Sequence, residues 1–266
     1  MVVKLFFYLL GLNLYVSMKK LLINILSKTG YRISRKSKLN FSVGDFQYEQ
    51  ITPFADYAPW LQDKEFTQIY SRIKDYTLVD IYRCYELWEM VEAIHVINPT
   101  VCFLEVGVWK GGTSGIIGRK LALLNSTNNF YLADTFSGVV KATEKDTFYK
   151  GGEHADTAME TAEGIIKSVY KNYKILKGIF PNDTATIINK DERFGFCHID
   201  VDVYQSAKDI VDWIWDKLIV GGVIVFDDYG FHTCTGVTRY VNEQKGKSDR
   251  AVIHNLNGHA IIFKLR

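Results

Sequence analysis

The 266-residue chain has little proline and little cysteine, four residues of each, and none of its cysteines stands in a CxxC pair. Cys84, Cys102, Cys197 and Cys234 lie far apart, two of them inside apolar runs where a thiol behaves as a small buried hydrophobe. That spacing argues against structural zinc and fits a reducing, cytoplasmic compartment. Cys197, His198 and Asp200 cluster, but neighbours on a strand point to opposite faces and the spacing matches no zinc pattern. An excess of one charge is also missing: the net charge is +2, with acids and bases interspersed, which leaves no broad basic field for nucleic acid. A long unbroken apolar run is missing too. Lys4 and Asn13 interrupt the first one before it reaches the ~20 residues of a membrane span. From Met18, an equally good start, "MKKLLINILSKTG" has the basic head and apolar core of a signal peptide but no small-residue cleavage site. A weak membrane-surface contact, peripheral to the inner membrane, competes with docking or disorder as the reading of this stretch.

What is present is an ordinary globular composition, 47% hydrophobic and 23% charged, enough for one large domain behind an N-terminal extension. Residues 1–75 read as extension and cap, their aromatics spaced for loops and short helices rather than a sheet, and residues 76–266 as the main domain. From Leu78 to Ile97 apolar residues recur at three and four, the period of a helix with one buried face, which Pro99 ends. Then "TVCFLEVGV", "NFYLAD", "YKILKG", "FGFCHID" and "GVIVFDD" read as buried parallel strands, most of them separated by helical stretches such as "YQSAKDIVDWIWDKL" with its stripe from Ala207 to Leu218. This alternation predicts an α/β fold, a Rossmann-like doubly wound, mostly parallel sheet with ligands at the carboxyl ends of its strands. Asn257-Gly258 between two short apolar runs predicts a closing hairpin and an antiparallel last strand. Residues 135–172 form a polar insertion, readable as a lid or as a solvated helix with its loop.

Chemistry gathers at the strand ends. "FLEVGVWKGGTS" sets Glu105 and Gly107 before Gly111-Gly112, with Thr113 and Ser114 opening a helix whose free N–H groups suit an anion. Asp134 ends the next strand, where an acid commonly takes ribose hydroxyls. Asp200 and Asp202 end one later strand, Asp227 and Asp228 the next. Burying like charges so close is costly unless a cation lies between them or one takes a proton. A hard divalent ion, magnesium or manganese, on Asp200, Asp227 and Asp228 removes that cost; capping or solvated acids are the plainer reading.

Glu105-x-Gly107, Asp134-Thr-Phe-Ser-Gly, "KGIFPND", "HIDVDVYQSAKD" and "GGVIVFDDYG" together resemble the macrocin O-methyltransferase family, the TylF-type sugar methyltransferases, over roughly residues 76–264. The resemblance implies a class I fold for S-adenosylmethionine, Mg2+-dependent methylation of a hydroxyl on a sugar or glycan, and a homo-oligomer. It implies Asp200, Asp227 and Asp228 as metal ligands and Asp202 as general base. Around the cofactor it implies Gly107 and Thr113 near the methionine part, Ser114 at the same helix start, Asp134 on the ribose, Thr77 at the carboxylate, and Glu105 shaping the loop. The family pattern is broken at Ser137 and at Asn182-Asp183-Thr184, where the acceptor would sit. His198 competes as base with a reading as core histidine. Tyr204, Tyr229, His232 and Arg239 are candidate pocket or substrate residues. Two other functions compete: a metal-dependent glycosyltransferase using Asp200-Val-Asp202 as a D-x-D motif, and an inactive methyltransferase-fold scaffold.

Overall fold

The structure, a computed structural model, describes residues 40–49, 51 and 55–266. The chain divides into compact units Met1–Phe41 and Ser42–Arg266, and the sheet and site lie in the second. The membrane-surface stretch expected near the start lies outside the described residues, among which no helix is long and apolar enough to cross a membrane.

Among the described residues, nine strands form two sheets. A hairpin pairs β1 (Asn40–Val43) with β2 (Phe46–Glu49), where the sequence had predicted loops and helices only. Side chains there alternate between exposed and half-buried, a two-residue period too short to stand out, and Gly44 takes the positive φ its turn needs. The main sheet holds β3 (Cys102–Val106), β4 (Phe130–Asp134), β5 (Tyr173–Lys177), β6 (Phe194–Ile199), β7 (Leu218–Phe226), β8 (Arg250–His254) and β9 (Ala260–Lys264) in the order β5-β4-β3-β6-β7-β9-β8. All pairings from β5 across to β7 are parallel, and β9 runs antiparallel to β7 and β8. The expected hairpin turns at Leu256 and Gly258, both at positive φ.

β3 and β6 are buried along their full length, which is why they read as continuous apolar runs. The chain order reverses between them, so their carboxyl ends open a crevice. Register levels those ends. Val106 pairs with Ala133 and Ile199, and Ile199 with Phe226, so Gly107, Asp134, Asp200 and Asp227 emerge side by side.

Helices α1 (Lys64–Ile73), α2 (Ile81–Ile97), α3 (Gly112–Leu123), α4 (Met159–Lys167), α5 (Tyr204–Ile214) and α6 (Thr235–Asn242) flank the sheet. α2 starts at Ile81 rather than Leu78 because the Asp80 carboxylate caps it, accepting from Tyr82 N at 2.9 Å and Arg83 N at 3.1 Å. α5 stops at Ile214, so Leu218 of the expected stripe opens β7 instead, still buried. α4 narrows the expected lid. Ala162 and Ile166 are buried and Ile165 crowds Gly115 of α3, so residues 159–167 are a crossover helix and the covering segment is 135–158.

Candidate active site

One large cavity lies over the crevice, and Thr77, Gly107, Thr113, Asp134, Asp200, Asp202, Asp227 and Asp228 all line it. Motifs scattered over about 150 residues of sequence thus meet in one place.

The glycine turn forms one wall of the cavity. Gly107 has φ +93, and a Cβ there would stand 1.7 Å from the carbonyl oxygen of Asp200, so nothing larger fits. The Asp134 carboxylate ties the turn down: Oδ2 accepts from Val108 N at 2.7 Å and Trp109 N at 2.8 Å, and Oδ1 from Phe136 N at 2.6 Å. Gly112 N donates to Tyr76 O at 3.0 Å, which draws Thr77 to the cavity.

Glu105 and Ser114 sit behind this wall rather than in it. Both are fully buried and hydrogen-bonded to each other, and Glu105 Oε1 lies 3.0 Å from His198 Nδ1. They hold strand end, helix start and β6 together. His198 is buried in that network, as the core reading expected, and does not line the cavity. Burial pulls its imidazole down, but the Asp227 and Glu105 carboxylates outweigh this and lift its pKa to about 9.

On the acidic side, oxygens of Asp200, Asp227 and Asp228 lie within 4.8 Å of one another. Burial and mutual repulsion push the Asp200 and Asp228 carboxyls well above the usual range. Asp227 goes the other way: burial raises it, but His198, His259 and Arg83 outweigh that and hold it below the usual range. Arg83 donates to its Oδ2, and His259 Nε2 lies 2.9 Å from its Oδ1. His259 in turn meets Glu86 on α2. Arg83, Glu86 and His259 were not singled out in the sequence. The available signal was a charged pair three apart on the otherwise apolar face of α2.

β6 ends at Ile199, so Asp200 and Asp202 do not continue a straight strand. Asp202 has φ +65 and Val203 N donates to Val201 O at 2.8 Å, a γ-turn centred on Asp202. Non-glycine residues rarely stay in that region, and strain of this kind gathers at functional sites. The turn swings the Asp202 side chain toward the covering segment, where His154 Nε2 comes to 4.0 Å and is itself met by the Tyr149 hydroxyl at 3.3 Å. Burial raises the Asp202 carboxyl despite these partners. Trp109 Nε1 and Lys110 Nζ bond Asp156 at 3.1 and 2.8 Å, so one segment touches both glycine turn and acidic side.

Tyr204, Tyr229 and Arg239 are elsewhere. Their polar groups are engaged by Glu243, Asn242 and Asp45, at 2.7, 2.9 and 2.7 Å, and neither they nor His232 line the cavity.

The sequence profile of the family described as Macrocin-O-methyltransferase (TylF) matches residues 62–264. Among curated proteins, the chain is 24% identical to the demethyldecarbamoylnovobiocin O-methyltransferase of Streptomyces niveus, over 66% of this chain and 70% of that one. It is 22% identical to an 8-demethyl-8-(2,3-dimethoxy-alpha-L-rhamnosyl)-tetracenomycin-C 4′-O-methyltransferase of Streptomyces olivaceus, over 71% and 75% of the two chains. The solved O-methyltransferase NovP shares the fold with a TM-score of 0.62 and 21% identity, covering 72% of this chain and 83% of its own. The D-x-D glycosyltransferase reading therefore falls away. The chain belongs to the macrocin O-methyltransferase (TylF) family, and it is an S-adenosylmethionine-dependent O-methyltransferase.

Proposed function

We propose that this enzyme methylates a hydroxyl of a sugar or glycan, with a divalent cation, Mg2+ or Mn2+, on Asp200, Asp227 and Asp228 and with Asp202 as general base. The observation that carries this reading is the strained Asp202 turn beside the three-carboxylate cluster, in the same cavity as the glycine turn. The name of the Streptomyces olivaceus relative, which acts on a rhamnosyl-tetracenomycin, supports a glycosylated acceptor.

The cluster suits a hard cation. No protein donor among the described residues reaches the Asp200 carboxylate, and its raised pKa reflects buried negative charge in want of a counter-ion. Such an ion, when bound, supplies Lewis acidity that makes the acceptor hydroxyl a better nucleophile. The chain's own residues do the rest. Thr77, Gly107 and Thr113 shape the wall for the methionine part, and Asp134, with three of its roughly four lone pairs fixing the turn, keeps one for a ribose hydroxyl. Asp202, its carboxyl lifted by burial, takes the hydroxyl proton as that oxygen attacks the sulfonium methyl in line. His154, held by the Tyr149 hydroxyl, stands beside the base at 4.0 Å.

Calorimetric titration with S-adenosylmethionine, then methyl transfer to a panel of free and nucleotide-linked 6-deoxyhexoses with and without chelator, tests the proposal. Methylated sugar formed only without chelator is expected; undiminished turnover in EDTA removes the metal.

A further inference from the structure

We propose that Arg83 is a built-in rival of the divalent cation at Asp227, so that this chain holds its metal loosely until substrate oxygens complete the site. The inference rests on the metal reading above and concerns a residue that reading does not use.

Arg83 is no mobile surface arm. It is 6% exposed, its Nε donates to Asp80 Oδ2 at 2.9 Å, and its guanidinium lies 4.9 Å from the centre of the Phe231 ring. Held this way, Nη1 donates to Asp227 Oδ2 and also lies 3.2 Å from the Asp227 carbonyl oxygen. His259 Nε2 takes Oδ1. Both oxygens of Asp227 are thus committed to cationic or hydrogen-bonding partners, whereas the neighbouring Asp200 carboxylate accepts from none among the described residues.

A guanidinium stays charged at any ordinary pH. A dication drawing on Asp227 must therefore displace Arg83 from Oδ2 or share that carboxylate with it, and two positive charges on one carboxylate repel. Asp80 and Phe231 hold the guanidinium in place, which keeps the competition permanent. The same geometry gives Asp227 a defined orientation, so a purely structural Arg83 is the rival explanation, and it predicts no gain in metal affinity when the charge is removed.

The test is a manganese(II) titration of the full chain, read from the electron paramagnetic resonance of free Mn2+. It compares wild type, Arg83→Met and Arg83→Gln, with Asp200→Asn as control and circular dichroism to check folding. The wild type is expected to bind with a dissociation constant above about 100 µM, at the weak end of protein sites for hard dications. Each folded Arg83 variant is expected to bind at least about tenfold tighter. Unchanged or weaker binding in a folded variant overturns the inference. So does a wild-type constant below about 10 µM, which needs no variant and decides the matter if both variants fail to fold. Saturable Mn2+ binding by none of the proteins overturns the metal reading and this inference with it, whereas tight binding by wild type overturns the inference alone.

Discussion

At the β3–β4 edge the one cavity-lining carboxylate, Asp134, accepts from three backbone N–H groups and serves as a fixed clasp. At the neighbouring β6–β7 edge four carboxylates crowd together, and the polarisation among them is unequal, with Asp227 held charged and Asp200 and Asp228 pushed toward taking protons. The first edge is satisfied by the chain itself and is built to present a surface. The second is left short of positive charge. One sheet therefore carries a preorganised half and a half completed by what binds.

The sharpest way to break this contrast is Asp200→Asn. Turnover on the acceptor found in the sugar screen should fall by at least about a thousandfold, while affinity for S-adenosylmethionine stays within about threefold. A parallel loss of cofactor affinity would mean the two halves are not separate. Asp202→Asn should slow turnover by about 10²–10⁴-fold and at the same time raise the melting temperature, because asparagine tolerates positive φ and removes a buried charge. A variant that is both slower and less stable would argue against strain held at that turn.

Gly107→Ala probes the preorganised half. The added methyl would overlap the Asp200 carbonyl and adopt an unfavourable φ, so a loss of about 2–4 kcal/mol in urea unfolding is expected, with cofactor binding abolished.

Titration probes the other half. His198, lifted to about 9, contributes stability that is complete below its unfolded value of about 6.5 and is lost as pH rises through 9. Asp200 and Asp228, also raised, bind more protons folded than unfolded, so their effect has the same sign. The metal-free protein should melt about 3–6 °C lower at pH 9 than at pH 6.5. Added Mg2+ should recover part of this in wild type and none in Asp200→Asn; a flat profile contradicts the charge assignment. The smallest effect belongs to Arg239→Ala, which does not line the cavity and whose exposed pair with Asp45 is worth under about 0.5 kcal/mol. A changed KM in that variant would reinstate Arg239 as a substrate contact.

Much of both halves could be read from the residues alone. Apolar runs ending in Glu105-x-Gly107, Asp134, Asp200 and Asp227 announce strand ends, and parallel pairing then brings them level. The hairpin at Asn40–Glu49 escaped because four-residue strands with half-buried faces leave almost no pattern. α4 was anticipated only as a solvated helix, because its apolar face, Ala162 and Ile166, is short and set in a charged stretch. Arg83, Glu86 and His259 were illegible for a different reason. Their meaning comes from contacts 144 and 173 residues apart along the chain, and no local spacing encodes such a distance.

The close approach of Gly107 to the Asp200 carbonyl bears on how this enzyme could be rebuilt. Because the backbones of β3 and β6 touch there, neither strand end can be transplanted from a relative without the other; they form one exchangeable unit. The covering segment 135–158 meets the glycine turn and Asp202 largely through side chains, Asp156 on Trp109 and Lys110 and His154 beside Asp202. A chimera that keeps those few side chains and replaces the remainder of the segment is the natural route to a new acceptor on an unchanged methyl-transfer scaffold.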